Sequence, residues 1–208
     1  MFRVKICGVT RLQDVRAIAK AGADAIGFQM SQGPRKISPA LAKKLVKQVP
    51  PYLIPVGVFV NEPLAKARKL IKTCGFQAVQ LHGDEPASYC EKLYLPVIKA
   101  IRMKDAKTHL KYRKYKVAGF LLDAYHKSAR GGTGKGFNPS WAKKAARDLQ
   151  APVLLAGGLK PESVAKTIKA AGIFGVDVAS GVESAPGIKD KKKLLKFVRE
   201  AKKVFRKI

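Results

Sequence analysis

The chain has 208 residues, of which 47% are hydrophobic, and it carries a formal net charge of +28. This length is enough for one domain with a substantial core, and the composition is ordinary for a globular protein. The longest apolar runs, such as Val56–Val60, are too short to span a bilayer, and Met1–Ile6 lacks the apolar core of a signal peptide. We therefore expect a single domain over residues 1–208, located in the cytoplasm and without a membrane partner.

The cysteines and histidines do not form a pattern typical of a disulfide framework or a metal site. The chain contains Cys7, Cys74, Cys90, His82, His109 and His126. The cysteine number is odd, no CxxC pair occurs, and the histidines have no metal-ligand spacing. We expect no bound metal.

The positive charge would attract a polyanion such as nucleic acid, and it would also attract a small phosphorylated substrate. Lysines are scattered over every predicted helix and are not gathered in one patch with interleaved aromatic residues. The most basic segment, residues 189–207, carries Leu194, Val198 and Phe205 at the spacing of an amphipathic helix packed on a core. This pattern favours a solvated lysine-rich surface over specific nucleic-acid binding, which is the alternative from a different functional class.

Predicted strands and helices alternate through the first half of the chain. The strands are predicted at Phe2–Cys7, Ala25–Met30, Ile54–Val60 and Ala78–Leu81, and the helices at Arg11–Ala21, from Pro39, at Pro63–Cys74 and near Ala87–Leu93. The first helix is predicted to begin with a capping box formed by Thr10 and Gln13 and to end at Gly22. Ser38 is the predicted N-cap of the second helix, with Pro39 as its first residue.

The second half continues the alternation. The strands are predicted at Val97–Ile101, Gly119–Asp123, Val153–Ala156 and Val176–Ala179, and the helices at Thr108–Arg113, Pro139–Leu149, Glu162–Ala171 and Lys189–Phe205. Strands such as Phe120–Leu122 are apolar without alternation, which is typical of parallel strands buried on both faces. Eight strand–helix units predict an α/β fold, a single (β/α)8 TIM barrel with short loops. An open doubly wound sheet is the alternative, although it would normally have fewer strands at this length.

Functional residues of such barrels lie at the carboxyl ends of the strands. At those ends the sequence places Cys7, Arg35, Gln80, His82, Asp123, Gly157, Gly158, Asp177, Ala179, Ser180 and Gly181. Alone, Cys7 would be interpreted as a small buried apolar residue and His82 as a core histidine. Their shared position at one rim of the predicted barrel makes them candidates for a site.

Two glycine loops follow the seventh and eighth strands. Gly157–Gly158 lets the backbone approach an anion without a Cβ in the way, and Ala179–Gly181 can do the same from the next loop, with a short helix beginning near Val182. Backbone N–H groups in consecutive loops at this end of a barrel predict a phosphate site. The alternative is that these residues are turn glycines only.

A third glycine-rich segment, Gly131–Gly136, follows the strand that ends at Asp123. It is not a P-loop, because Lys135 is followed by glycine where that motif needs serine or threonine. Its glycines are also wrongly spaced for a dinucleotide fingerprint. We interpret it as a lid over the site.

Five motifs in order along the chain carry a resemblance to a known family. They are KICGVT at residues 5–10, QLHGDE at 80–85, GGTG at 131–134, LAGGL at 155–159 and GVDVASGVE at 175–183. Together they resemble the phosphoribosylanthranilate isomerases. The resemblance implies an Amadori rearrangement of N-(5-phosphoribosyl)anthranilate in tryptophan biosynthesis, a phosphorylated small molecule as partner and no cofactor. A monomer and a homodimer are both compatible with it.

The resemblance also implies roles for individual residues. Asp123 matches the family's general acid and Cys7 its general base, which requires a raised pKa for the carboxyl and an available thiolate. The bound iminium, a helix end and the positive field would help to lower the thiol pKa. Arg35 matches the arginine near the anthranilate carboxylate, where a guanidinium can bind in a bidentate manner. The remaining candidates for substrate binding are Gln80, His82 and Asp177.

The sequence departs from the family pattern in the loop Gln29–Arg35, at Ala179, where a serine is common, and over Tyr125–Arg130. These departures concern substrate affinity and leave the acid, the base and the glycine loops in place. The alternative enzyme with the same type of reaction is the histidine-pathway isomerase. That family has the pattern of a two-half repeat, with an aspartate base after the first strand. Cys7 at that position argues against this alternative, as does the lack of a half-chain repeat.

Overall fold

The structure is a computed structural model that describes residues 1–123 and 138–207. Eight parallel strands form a closed barrel in sequence order. They are β1 (Val4–Cys7), β2 (Ala25–Gln29), β3 (Ile54–Phe59), β4 (Ala78–Leu81), β5 (Val97–Arg102), β6 (Gly119–Asp123), β7 (Val153–Ala156) and β8 (Gly175–Val178). β8 pairs with β1, with Val4 opposite Val176, so the barrel is closed and the predicted TIM barrel is confirmed.

Helices lie between the strands and pack around the barrel. The α-helices are α1 (Leu12–Ala21), α2 (Pro39–Val46), α3 (Leu64–Cys74), α4 (Ala87–Glu91), α5 (Pro139–Asp148), α6 (Val164–Ala171) and α7 (Lys191–Phe205). A 3-10 helix at Thr108–Tyr112 replaces the helix predicted after β5. Within the described part of the chain, every helix is too short or too polar to span a membrane.

The apolar residues form two cores. Outward-facing strand residues such as Ile6 and Val176 pack against the helices, while Ala25, Val56 and Leu154 belong to a smaller core inside the barrel. This division follows from the alternation of side chains along each strand. Buried lysines interrupt the apolar pattern: Lys5, Lys99 and Lys189 are fully buried or nearly so, whereas the sequence predicted only a solvated lysine-rich surface.

The predicted capping box of α1 is wrong. The helix is preceded by Arg11, which makes no side-chain capping bond, and the Thr10 hydroxyl instead donates to the Gly187 carbonyl at 2.7 Å. Arg11 and Asp14 form an ion pair across the first turn at 2.8 Å. The predicted caps at Gly22, which is left-handed with φ 76°, and at Ser38, which accepts from the Leu41 N–H, are confirmed.

The prediction that the last helix begins at Lys189 is also wrong. Residues 183–189 form a small antiparallel hairpin of β9 (Glu183–Ala185) and β10 (Ile188–Lys189). The side chain of Asp190 then caps α7 by accepting from the Lys193 N–H at 2.9 Å. The hairpin turns Lys189 towards the barrel, where the Cys7 carbonyl and the Glu183 carboxylate bind its ammonium group.

Candidate active site

A cavity of about 470 Å³ opens at the carboxyl ends of the strands. Its lining includes all the site residues predicted from the sequence: Cys7, Arg35, Gln80, His82, Asp123, Gly157, Gly158, Asp177, Ala179, Ser180 and Gly181. These side chains come from six strands or the loops that follow them, because parallel strands end at the same rim. Gln29, Val58, Ala156, Leu159 and Val178 complete the wall.

Cys7 is the last residue of β1, and only 5% of its surface is exposed. It lies opposite Gly27 of β2, and a Cβ on Gly27 would lie 2.8 Å from the Cys7 sulfur, so this glycine makes room for the thiol. Burial raises the pKa of the Cys7 thiol, and this effect exceeds the opposing influence of the Lys5 and Lys189 ammonium groups. The positive surroundings expected from the sequence are present, yet without a ligand they do not bring the thiol pKa below its ordinary value.

Lys5 lies one side-chain layer below Cys7 inside the barrel. It is fully buried, and its ammonium donates to Asp177 Oδ1 at 2.9 Å. The two residues are register partners on β1 and β8, so the barrel closure itself brings them together. Although burial lowers the pKa of Lys5, the charges of Asp177 and Cys7 more than offset this, and the pKa is raised above its usual value. The sequence indicates Asp177 as a substrate-binding residue but does not predict its ion pair with Lys5.

A hydrogen-bonded chain connects β4 with β6 on another part of the rim. Gln80 Nε2 donates to His82 Nδ1 at 3.1 Å, and His82 Nε2 lies 3.1 Å from Asp123 Oδ2. Since Nδ1 accepts, the ring proton is on Nε2 and is donated to Oδ2 of the Asp123 carboxyl group. The side chain of Asp123 is 18% exposed, so it is reachable from the cavity while this chain fixes its orientation.

Arg35 joins the cavity to the hairpin. Its Nε and Nη2 groups bind the Glu183 carboxylate in a bidentate manner, with Nη2 2.5 Å from Oε2. The Lys189 ammonium donates to Oε1 of the same carboxylate at 2.7 Å. Burial acts to raise the pKa of Glu183, but the hydrogen bonds from Arg35 and Lys189 hold it below its usual value. The carboxylate is therefore ionised and holds both cations in place.

Glu183 and Lys189 support this site although the sequence does not predict either of them as part of it. Glu183 ends the GVDVASGVE motif, but its contacts depend on the β9–β10 hairpin, which local sequence patterns do not predict. Lys189 Nζ also donates to the carbonyls of Cys7 at 2.6 Å and Ala179 at 3.3 Å, so one buried ammonium joins the ends of β1 and β8. The sequence does not indicate that Lys189 is buried, because Asp190 and a run of lysines follow it.

The two glycine loops lie against one another. Gly157 and Gly158 have φ values of 88° and 67°, a backbone conformation that favours glycine. A Cβ on Gly181 would lie 1.8 Å from the Leu159 carbonyl oxygen, so the loop after β8 can contact the loop after β7 only with glycine there. The short helix expected from Val182 onward instead occupies Ser180–Val182 and ends at that residue. The predicted lid at Gly131–Gly136 lies outside the described residues.

A sequence model of one family matches most of the chain. The family is described as N-(5'phosphoribosyl)anthranilate (PRA) isomerase, and the match covers residues 4–200. The isomerase of Pelobacter propionicus is 43% identical over 203 residues, which cover 97% of this chain and 96% of that protein. That of Geobacter metallireducens is 44% identical, with coverage of 97% and 100%.

Solved structures agree with the sequence comparison. Phosphoribosyl anthranilate isomerase from Thermotoga maritima superimposes with a TM-score of 0.88 at 38% identity, covering 98% of this chain and 100% of that one. A phosphoribosyl anthranilate isomerase in complex with reduced 1-(o-carboxyphenylamino)-1-deoxyribulose 5-phosphate gives a TM-score of 0.85 at 36% identity, with the same coverage. On this evidence the chain belongs to the N-(5'-phosphoribosyl)anthranilate isomerase family, the aldose–ketose isomerases of tryptophan biosynthesis.

Proposed function

We propose that this chain converts N-(5-phosphoribosyl)anthranilate into 1-(2-carboxyphenylamino)-1-deoxyribulose 5-phosphate by an Amadori rearrangement, with Asp123 as general acid and Cys7 as general base. The observation that carries the proposal is that one cavity of about 470 Å³ is lined by a carboxyl, a thiol and two glycine loops together. The ligand of the solved relative is a reduced form of the proposed product, which supports the same assignment.

Asp123 protonates the furanose ring oxygen in the proposed first step. The C1–O bond then breaks, its electron pair passes to the protonated oxygen, and an iminium forms between C1 and the anthranilate nitrogen. His82 donates to Asp123 Oδ2 and fixes the orientation of the carboxyl group during this transfer. A general acid contributes to the rate by proton transfer, which requires that it is held within hydrogen-bond reach of the leaving oxygen.

Cys7 removes the C2 proton of the iminium in the proposed second step. The electrons of that C–H bond form a C1–C2 double bond and neutralise the iminium, which gives an enolamine that tautomerises to the ketone. The positive charge of the iminium favours an ionised thiol beside it, and this opposes the burial that raises the thiol pKa in the free protein. The base is thus best ionised when the intermediate that needs it is present.

The remaining site residues hold the two ends of the substrate. Glu183 occupies the guanidinium edge formed by Nε and Nη2 of Arg35, and we assign the edge formed by Nη1 and Nη2 to the anthranilate carboxylate. The phosphate is assigned to the backbone of Gly157, Gly158 and residues 179–181, where glycines permit close approach. Gln80 and Asp177 line the cavity between these ends.

We further propose that residues 1–208 act as one catalytic domain, because β8 closes directly onto β1. A monomer or a homodimer fits this proposal. One Thermotoga maritima structure that resembles this chain, with a TM-score of 0.85 at 35% identity, contains monomers generated from a dimeric enzyme.

The direct test follows the fluorescence of N-(5-phosphoribosyl)anthranilate with the purified chain and identifies the product's C2 ketone by 13C NMR. Complementation of a tryptophan auxotroph, with a histidine auxotroph as comparison, separates this substrate from that of the histidine-pathway isomerase. Rescue of the histidine auxotroph alone would contradict the proposal.

Replacing Arg35 by alanine is expected to raise KM more than it lowers kcat, because the substrate carboxylate loses its bidentate partner. A charge-assisted hydrogen bond is worth about 1.5–3 kcal/mol, so KM should rise about tenfold or more. Steady-state kinetics of Arg35→Ala measure this, with Arg68→Ala as the control, since Arg68 binds the Lys92 carbonyl away from the cavity. An unchanged KM in Arg35→Ala would count against the assignment.

Replacing Gly181 by alanine is expected to separate the two glycine loops, because the added Cβ would overlap the Leu159 carbonyl oxygen. Affinity for ribose 5-phosphate, measured by calorimetry, should fall about tenfold or more, or about 1.4 kcal/mol. Gly172→Ala is the matched control, since Gly172 follows α6 outside the cavity lining, its Cβ would come no closer than 4.0 Å to Lys143 Cγ, and the positive φ of 58° would cost only about 1–2 kcal/mol of stability. An equal loss of affinity in the two variants would show that contact between the two glycine loops does not determine the affinity for ribose 5-phosphate.

A further inference from the structure

Five charged side chains form a connected cluster at the end of β1, four of which act on the Cys7 thiol, while Glu183 binds two of those four. They are Lys5 on β1, Asp177 on β8, Lys189 on β10, Glu183 on β9 and Arg35 in the loop after β2. Three of these groups are cations and two are anions. The cluster therefore has one positive charge more than its own carboxylates neutralise, and an ionised thiol would balance it.

The three cations differ in how completely their N–H groups are used. Lys189 has three acceptors, namely the Cys7 and Ala179 carbonyls and the Glu183 carboxylate, which account for its three hydrogens. Arg35 is held edge-on by Glu183. The Lys5 ammonium donates one of its three hydrogens to Asp177 Oδ1, which leaves its other hydrogens for a further acceptor.

The position of Lys5 makes the thiol that acceptor. Residues 5 and 7 are two apart on β1, so their side chains leave the strand on the same face, towards the barrel interior. A Cβ on Gly27 would lie 2.8 Å from the Cys7 sulfur and 3.2 Å from Lys5 Cε, so both side chains lie over the same glycine. The charge and hydrogen bonding of Lys5 both act to lower the pKa of Cys7.

We propose that Lys5, fixed by Asp177 beneath the reaction cavity, is a positioning residue whose buried ammonium stabilises the thiolate form of Cys7. The inference rests on the proposed role of Cys7 as the base and adds the group that makes this role possible at a buried site. Lys5 does not reach the cavity lining, so it acts through the thiol and not on the substrate. Asp177 holds the ammonium in place and keeps it charged in the barrel interior.

The test measures Cys7 ionisation directly, without turnover. The rate of Cys7 alkylation by iodoacetamide is followed against pH, and peptide mass spectrometry separates Cys7 from Cys74 and Cys90. The principal variant is Lys5→Met with Asp177→Asn, which removes the ion pair without leaving a lone buried charge. Lys5→Met alone is the second variant, which keeps the carboxyl group of Asp177 beside the thiol.

The matched control is Lys99→Met with Glu85→Gln. This pair is equally buried, with Lys99 Nζ 2.8 Å from Glu85 Oε2, but it lies at β5 on the opposite side of the barrel. We expect Lys5→Met to shift the alkylation profile to higher pH by about one unit or more, so that alkylation below the thiol pKa slows about tenfold. The double variant should shift the profile in the same direction by less, because it also removes the Asp177 charge that opposes ionisation of the thiol. The control should keep the wild-type profile.

An unmoved profile in the Lys5 variants would overturn the inference, and so would an equal shift in the Lys99 control. Neither result depends on catalysis. If Cys7→Ala retained full activity, the proposed base would be wrong, while the alkylation profiles would still report whether Lys5 controls the ionisation of the thiol. Failure of the inference and failure of the proposed function are thus distinguishable.

Discussion

Cys7→Ala is expected to lower kcat by about 10²- to 10⁴-fold, the range contributed by a general base, with little change in KM. The thiol is the group at the end of β1 that can accept the C2 proton. Its neighbour Asp177 cannot take over readily, because its carboxylate is bound by the Lys5 ammonium. Steady-state kinetics with the fluorescent substrate measure the loss, and circular dichroism checks that the fold is retained.

The control for this variant is Cys74→Ala. Cys74 is also a buried free thiol, but it is the last residue of α3 and lies outside the cavity lining. Both variants remove one buried sulfur, so a general effect of lost packing would appear in both. The proposed base is wrong if Cys7→Ala keeps the wild-type kcat.

Asp123→Asn is expected to lower kcat by a similar factor of about 10²- to 10⁴-fold, because an amide cannot protonate the ring oxygen. The substitution preserves shape, and the remaining amide oxygen can still accept from His82 Nε2. Substrate binding should therefore be largely retained. Single-turnover kinetics of ring opening, together with KM, measure the two effects separately.

The matched control is Asp148→Asn. Asp148 also accepts from a histidine, with Oδ2 2.7 Å from His109 Nε2, but this pair lies outside the cavity lining. Asp148→Asn should lose some stability and keep kcat. Equal losses of kcat in the two variants would contradict a role of Asp123 in proton transfer.

Much of the fold could be predicted from local patterns. Short apolar strands alternating with amphipathic helices indicate parallel strands covered by helices, and eight such units close into a barrel. The helix caps at Gly22 and Ser38 could also be predicted from local sequence. A left-handed C-cap needs a glycine just after the helix, and an N-cap needs a side chain that accepts from an N–H three residues later. Thr10 shows the limit of such signals, since its hydroxyl binds Gly187, a distant partner in sequence.

The residues that line the candidate site could also be predicted from local patterns. Once parallel strands are assumed, residues at their carboxyl ends share one rim, and this was enough to place Cys7, Asp123 and the glycine loops at one cavity. The assignment required no knowledge of side-chain contacts. It gave no information on which of these groups are paired.

The sequence by itself determined the eight strand–helix units and the residues at the carboxyl ends of the strands, since these follow from local periodicity. Only the tertiary structure decided the charges around Cys7. The pair of Lys5 and Asp177 depends on the register in which β8 meets β1, and the contacts of Lys189 depend on a hairpin that its own residues do not signal. Burial of a charged side chain is settled by partners distant in sequence, so the ionisation of the proposed base is a property of the closed barrel.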